Sequence, residues 1–165
     1  MLARWRVPLG FLTGAAVLWL ARPTPGSLMT GGAVAAIGEL LRVWAAGHLE
    51  KGREVTRSGP YRFMRHPLYV GSTIVGAGAA IAAARLSVAA LVTLYLASTI
   101  ISAIRTEETG MRAAFGDQYD AYVQSCATPI DRAFSLKRAM KNKEYRAVAG
   151  LAAVAAILAV KAALS

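Results

Sequence analysis

The apolar residues of this chain gather into five long blocks, at about residues 7–21, 28–47, 68–84, 86–104 and 147–164, separated by polar breaks. Each block approaches the roughly 20 residues of α-helix that cross about 30 Å of hydrocarbon. Within the blocks Ala, Leu, Val and Gly follow one another without alternating polar positions, so the pattern predicts helices and no sheet. The expected fold is all-α: an integral membrane bundle of five transmembrane helices, forming a single domain over residues 1–165. The first block follows Arg4 and Arg6, but no small-x-small cleavage site precedes Arg22 and Pro23, so it reads as a membrane helix rather than a signal peptide. The last block is rich in Ala and ends near Lys161, whose long side chain can snorkel to an interface.

The breaks are unequal. Pro23, Pro25 and Gly26 make a short turn after the first block, and Arg85 alone separates the third from the fourth. The segments 48–67 and 105–146 are much longer, and five crossings put both on the same face of the membrane. That face is where function is expected.

Composition agrees with a membrane protein: 56% of the residues are hydrophobic and the mean hydropathy is +0.44. The net charge of +10 would suit nucleic acid if it lay on one soluble surface, but its distribution points elsewhere. Arg4, Arg6, Lys51, Arg53, Arg57, Arg62, Arg65 and the basic residues from Arg105 to Arg146 share one face, against Arg22, Arg85 and Lys161 on the other. The positive-inside rule then predicts a cytosolic N-terminus and cytosolic long segments, with the C-terminus outside, and no nucleic-acid partner. A lone cysteine, Cys126, excludes an internal disulfide. His48 and His66 lie far apart with no cysteine pair, so no metal site is expected.

Small residues recur at helical spacing at Gly10 and Gly14, at Ser72, Gly76, Ala80 and Ala84, and at Ala155, Ala159 and Ala163. Such stripes allow close helix packing, in a bundle or a homodimer. Beyond the fourth block, Glu108, Met111, Phe115, Tyr119 and Tyr122 fall on one helical face, with Gly110 and Gly116 as candidate break points. The basic run "KRAMKNKEYR", residues 137–146, suits a juxtamembrane segment near anionic headgroups.

Several polar groups sit where lipid is expected. Glu39 and Arg42 occupy one face of the second block, either as an ion pair fixing helix packing or as the lining of a polar cavity. In "SGPYRFMRHPLYVG", residues 58–71, Pro67 is suited to the first turn of the third helix. Arg65 and His66 then stand at a helix N-terminus, an end that favours anions, although topology-setting flankers would look the same. Glu107 and Glu108, at the end of the fourth block, suit salt bridges or a cation site. The combination is compatible with a zwitterionic, cationic cofactor.

Followed at a distance by "RTEETGMRAAFGDQYDAYVQS", this stretch resembles the isoprenylcysteine carboxyl methyltransferase and phospholipid methyltransferase superfamily of membrane enzymes. Its pattern of G-x-Y-x-x-x-R-H-P-x-Y-x-G, a Glu-Glu pair and F-G-x-x-Y-x-x-Y is matched in order, within a family-like core of about residues 40–132. The resemblance implies S-adenosylmethionine as cofactor in a cytosolic cofactor-binding region, without the dinucleotide-type glycine loop, which the chain lacks. It implies cofactor contacts at Val55, Thr56, Tyr61, His66, Pro67, Tyr69, Gly71 and Glu108. Arg105, Glu108 and His66 become the candidate catalytic residues, with Arg105 orienting an acidic substrate. The acceptor would be a membrane lipid or an apolar or prenylated small molecule: an isoprenylated thiol or carboxylate, a phospholipid amine or a small thiol. An NADPH-dependent reductase resembling sterol reductases and a non-catalytic membrane scaffold are the competing readings.

Overall fold

The computed structural model describes residues 2–164, and the side chains of residue 8 and of residues 10–164. The described residues are helical with no strand. The long helices are α1 (Leu2–Leu20), α2 (Pro25–His48), α3 (Pro67–Ala82), α4 (Leu86–Phe115) and α7 (Tyr145–Ala163), and two short ones, α5 (Asp117–Val123) and α6 (Leu136–Lys141), lie between the last two. A 3-10 turn, Gly59–Arg62, precedes α3. Each predicted block thus becomes one helix. Three of them, α2, α4 and α7, are long and apolar enough to cross a membrane, whereas the apolar stretches Gly10–Leu20 and Pro67–Ala82 are shorter. The positions of the Arg4 and Arg6 side chains lie outside the described residues.

Local chemistry starts and stops these helices. Pro25 occupies the first turn of α2, and Thr24 and Ser27 form a reciprocal capping box, with Ser27 N–H donating to Thr24 Oγ1 at 3.1 Å and Thr24 N–H to Ser27 Oγ at 2.9 Å. Ser27 Oγ also donates to the Ala82 carbonyl, tying the start of α2 to the end of α3. The α3–α4 connection is short and contains Ala84 at φ 50° and Arg85 in extended conformation.

The central contact is the antiparallel pair α2–α3. Glycines let the two backbones meet: a Cβ on Gly78 would lie 2.5 Å from the Ala35 nitrogen and 2.6 Å from the Gly31 oxygen. One on Gly38 would lie 2.7 Å from both the Gly71 oxygen and the Val75 nitrogen. In lipid, where no water drives helices together, such close approach maximises dispersion contacts. This face, Gly31, Ala35 and Gly38 against Gly71 and Gly78, differs from the stripe read in the sequence; of that stripe, Gly76 packs against Leu96 and Val92 of α4. Gly78→Ala should therefore cost about 1–3 kcal/mol through backbone displacement. Gly32→Ala, on the same bundle but with nothing within 4 Å of its Cβ position, should be neutral or slightly stabilising in detergent unfolding.

Toward the far end, Val17, Ala21, Ala82, Ala83, Val88 and Leu158 form an apolar cluster joining α1, α3, α4 and α7. At the near end the chain folds back on itself. Arg132 grips Glu54 through two bonds of 2.6 and 2.9 Å, and Arg138 Nε donates to Glu50 Oε1 at 2.8 Å. Asn142 donates to the Ala46 and Leu49 carbonyls, and Phe134 packs over Gly47 and against the His48 ring. His48 is buried, with Nδ1 3.2 Å from Ser58 Oγ, and its ring lies against Gly59, whose φ of 55° suits glycine. It is a structural histidine, as its position at the end of a helix suggests. Because the Arg132–Glu54 pair is bidentate and only partly exposed, Arg132→Ala should cost about 1–2 kcal/mol, measurable by thermal unfolding beside Glu54→Gln and the double variant.

Within the bundle Arg42 sits between two acids. Its Nη2 lies 2.7 Å from Glu144 Oε1, its Nε 3.4 Å from Glu39 Oε2, and its Nη1 donates to Ser72 Oγ. The cluster joins α2, α3 and the start of α7, so the Glu39–Arg42 pair is an ion pair that fixes helix packing. Glu144, from the basic run, is its long-range partner.

Candidate active site

The stretch from Ser58 to Gly71 forms the threshold of α3. Gly59 turns the chain, Tyr61 in the 3-10 turn is buried, and the chain leaves that turn toward His66. His66 precedes the first turn of α3 with φ −128° and ψ 58°, and Pro67, buried, starts the helix. The Tyr69 and Val70 amides close on the His66 carbonyl at 3.0 and 3.1 Å, and no side chain caps this end. The positive end of the α3 dipole therefore faces the site without a side-chain cap.

α4 supplies the opposite wall. Its apolar part ends near residue 104, and the charged continuation to Phe115 projects beyond it. There Glu108 Oε1 lies 3.1 Å from His66 Nε2 and 3.4 Å from Arg65 Nη1, while Glu108 Oε2 lies 3.7 Å from Arg112 Nη1. The hydrogen bond from His66, followed by the nearby Arg65 and Arg112 charges, holds the Glu108 carboxyl below the usual carboxylate range against some desolvation. Glu108 is thus ionised at neutral pH. Its neighbour Glu107 is exposed, so the adjacent acids divide into one inward and one outward group.

The helix breaks at Gly116, one of the two predicted points, with φ 44° and ψ −123°, while Gly110 stays within α4. The break turns α5 back over the threshold. Tyr122 Oη donates to the Tyr61 carbonyl at 2.8 Å, and Tyr119 is buried beneath the Arg112 guanidinium, 5.6 Å from its ring. Burial pushes the Tyr122 hydroxyl up to about 12, and pushes Tyr61 further up with Glu107 as the next cause. Both stay protonated and act as neutral groups. The buried Tyr119 hydroxyl has no hydrogen-bond partner among the described residues, an unmet polar group beside the Glu108 cluster.

The other sequence candidates distribute around this centre. Tyr69 stacks against His66 at 5.8 Å between ring centroids. Val55 and Thr56 are buried in the preceding loop, where Thr56 Oγ1 accepts from the Glu50 amide at 3.1 Å. Gly71 lies in the α2–α3 crossing, where a Cβ would meet Arg42 Cγ at 2.5 Å. Arg105 is exposed one turn before Glu108 and makes no ion pair among the described residues. The structure thus unites His66, Tyr69 and Glu108 directly. It adds Arg112 and Tyr119, of which Tyr119 was legible as part of a helical face and of the F-G-x-x-Y-x-x-Y pattern, without an assigned role.

A family model described as phospholipid methyltransferase matches residues 26–118, more than half of the chain. The chain belongs to the phospholipid methyltransferase family. No curated protein and no solved structure matches it. The phospholipid methyltransferase match begins in α2, takes in the threshold, α3 and α4, and ends in α5 just past Gly116. It therefore contains His66, Tyr69, Arg105, Glu108 and Arg112, whereas α1, α6 and α7 lie outside it. With its apolar helices, this makes the chain an integral membrane protein of a methyltransferase family.

Proposed function

We propose that the chain is an S-adenosylmethionine-dependent methyltransferase whose acceptor is apolar or lipid-linked, with an isoprenylcysteine carboxylate as the acceptor class its arginines suit best. The observation that carries the reading is the His66–Glu108 pair, 3.1 Å apart at the boundary between apolar helix and polar loop. The bundle would cross the membrane five times, with the N-terminus and this site on the cytosolic side and the C-terminus outside.

The residues present fit the cofactor. Glu108 offers a carboxylate to a cationic group, the uncapped end of α3 at His66 and Pro67 suits a carboxylate, and the orphaned Tyr119 hydroxyl awaits a polar partner. Tyr61, Tyr69 and the loop at Val55 and Thr56 would border the nucleoside, while Gly71 would act by bringing α2 and Arg42 close behind the site. When bound, the cofactor supplies a methyl group already activated on a sulfonium. The chain's own task is to hold the acceptor in line at about 3–3.5 Å and to exclude water.

An apolar groove of about 260 Å³ between α3 and α4, lined by Thr73, Gly76, Ala77, Leu96 and Ala97 among others, supports an apolar acceptor. Thr73 stands one turn beyond Tyr69, and the lining residue Ile101 one turn before Arg105, so the groove runs up to the polar centre. An acceptor tail in the groove would present its anionic head to Arg105. An anionic nucleophile needs no base.

Titration calorimetry of the detergent-solubilised protein with S-adenosylhomocysteine, beside NADPH, tests the cofactor. Methyl transfer to a farnesylated cysteine, beside phosphatidylethanolamine, tests the acceptor. Micromolar binding of S-adenosylhomocysteine alone is the expected result, and binding of NADPH alone would replace this reading with the reductase. Transfer confined to phosphatidylethanolamine would retain the methyltransferase and overturn the carboxylate acceptor.

A further inference from the structure

The far end of the bundle, away from Glu108, carries a second polar feature. Arg22 follows α1, Arg85 immediately precedes α4 and Lys161 lies in the last turn of α7, yet all three line one cavity of about 560 Å³. Their separation along the chain makes the convergence a property of the fold.

Part of the charge has a local role. Lys161 Nζ donates to the Leu18 and Trp19 carbonyls at 2.8 Å each, and Arg85 Nη1 donates to the Leu20 carbonyl at 3.4 Å. Cations there offset the negative end of the α1 dipole. That role leaves most guanidinium donors unused, since each arginine has five N–H groups. Arg22 and Arg85 are both exposed, and among the described residues no acidic side chain lines the cavity. The positive charge exceeds what one helix end requires.

Depth identifies the ligand class. The cavity lies where α1 ends and α2 and α4 begin, so it opens at the level where hydrocarbon gives way to headgroups. Trp19, 84% exposed on its rim, is the residue type that settles at that boundary. Two arginines lining one cavity match the planar, bidentate recognition of phosphate oxygens. We propose that this cavity binds the phosphate of an anionic phospholipid in the leaflet opposite the candidate active site. The proposal rests on the membrane-spanning fold and is independent of the methyl-transfer reading.

Native mass spectrometry of protein released from phosphatidylcholine nanodiscs containing a minor fraction of phosphatidylglycerol tests it. One phosphatidylglycerol should stay with each chain, and Arg22→Gln/Arg85→Gln should reduce its retention about tenfold or more. Arg22→Lys/Arg85→Lys should keep most of it, and Lys137→Gln/Lys141→Gln, on the opposite face, should not change it. Melting in phosphatidylcholine alone should drop only slightly for the glutamine variant, through loss of the Arg85 contact with the Leu20 carbonyl, and S-adenosylhomocysteine titration should match the parent. Retention undiminished in the arginine variant, or lost only in the lysine variant, would overturn the site. Displacement of the lipid by inorganic phosphate at millimolar concentration would reassign it to a soluble anion.

Discussion

Glu108→Gln should weaken S-adenosylhomocysteine binding on the order of 10- to 100-fold, the equivalent of about 1.5–3 kcal/mol for a charge-assisted contact. Methyl transfer should fall at least as far. The substitution keeps the size and one acceptor oxygen of the side chain but removes the charge that faces His66, Arg65 and Arg112. Folding should be far less affected, because Arg65 and Arg112 are about half exposed and water takes over their solvation. Calorimetry and thermal unfolding on one sample separate the two effects; a variant that binds as the parent does would remove Glu108 from the cofactor site. The pH dependence has a definite sign. The folded-state pKa of Glu108 is depressed, so its contribution to stability is present above the ordinary carboxylate range and is lost as pH falls through the depressed value. Between pH 6 and 8 Glu108 stays ionised, so it should impose no pH dependence on binding there.

Why some of this was readable in advance, and some was not, follows from the range of the forces involved. The predicted block 147–164 became α7, Tyr145–Ala163, because a run of apolar residues that long has few other ways to satisfy its backbone in lipid. Gly116 ended α4 because glycine readily accepts the φ of 44° found there. The threshold at Pro67 was local too, since proline at a first helical turn needs no partner. The α2–α3 crossing was different: small residues stud every helix, and choosing Gly31, Gly38 and Gly78 as the interface requires knowing which helix lies opposite. Glu144 shows the same limit. It sits in a basic run that reads as a headgroup-facing segment, yet its carboxylate turns inward to Arg42. The site divides along this line: His66, Tyr69 and Glu108 are set by motif spacing and Arg112 follows Glu108 by one turn of α4, whereas the packing of Tyr119 under Arg112 depends on how α5 folds back.

Arg42→Leu should destabilise the bundle by about 3–5 kcal/mol, the largest stability effect expected in the molecule. The reason is the pair of acids left behind. Glu39 and Glu144 are almost fully buried, and Arg42 is the partner of both. Without it two carboxylates remain in a medium that solvates ions poorly, and one must take up a proton or draw water inward. The loss should spread to the site, because Arg42 also packs against Gly71 and donates to Ser72 in the first turns of α3. Chemical unfolding in detergent should show the drop, and S-adenosylhomocysteine affinity should fall with it. Replacing all three residues, as Glu39→Leu/Arg42→Leu/Glu144→Leu, should recover much of the stability, since an apolar cluster carries no desolvation cost. Recovery of stability without recovery of affinity would show that the charged cluster sets the register of α2 against α3 as well as holding it. An Arg42→Leu variant as stable as the parent would refute the cluster as the tie between α2, α3 and the start of α7.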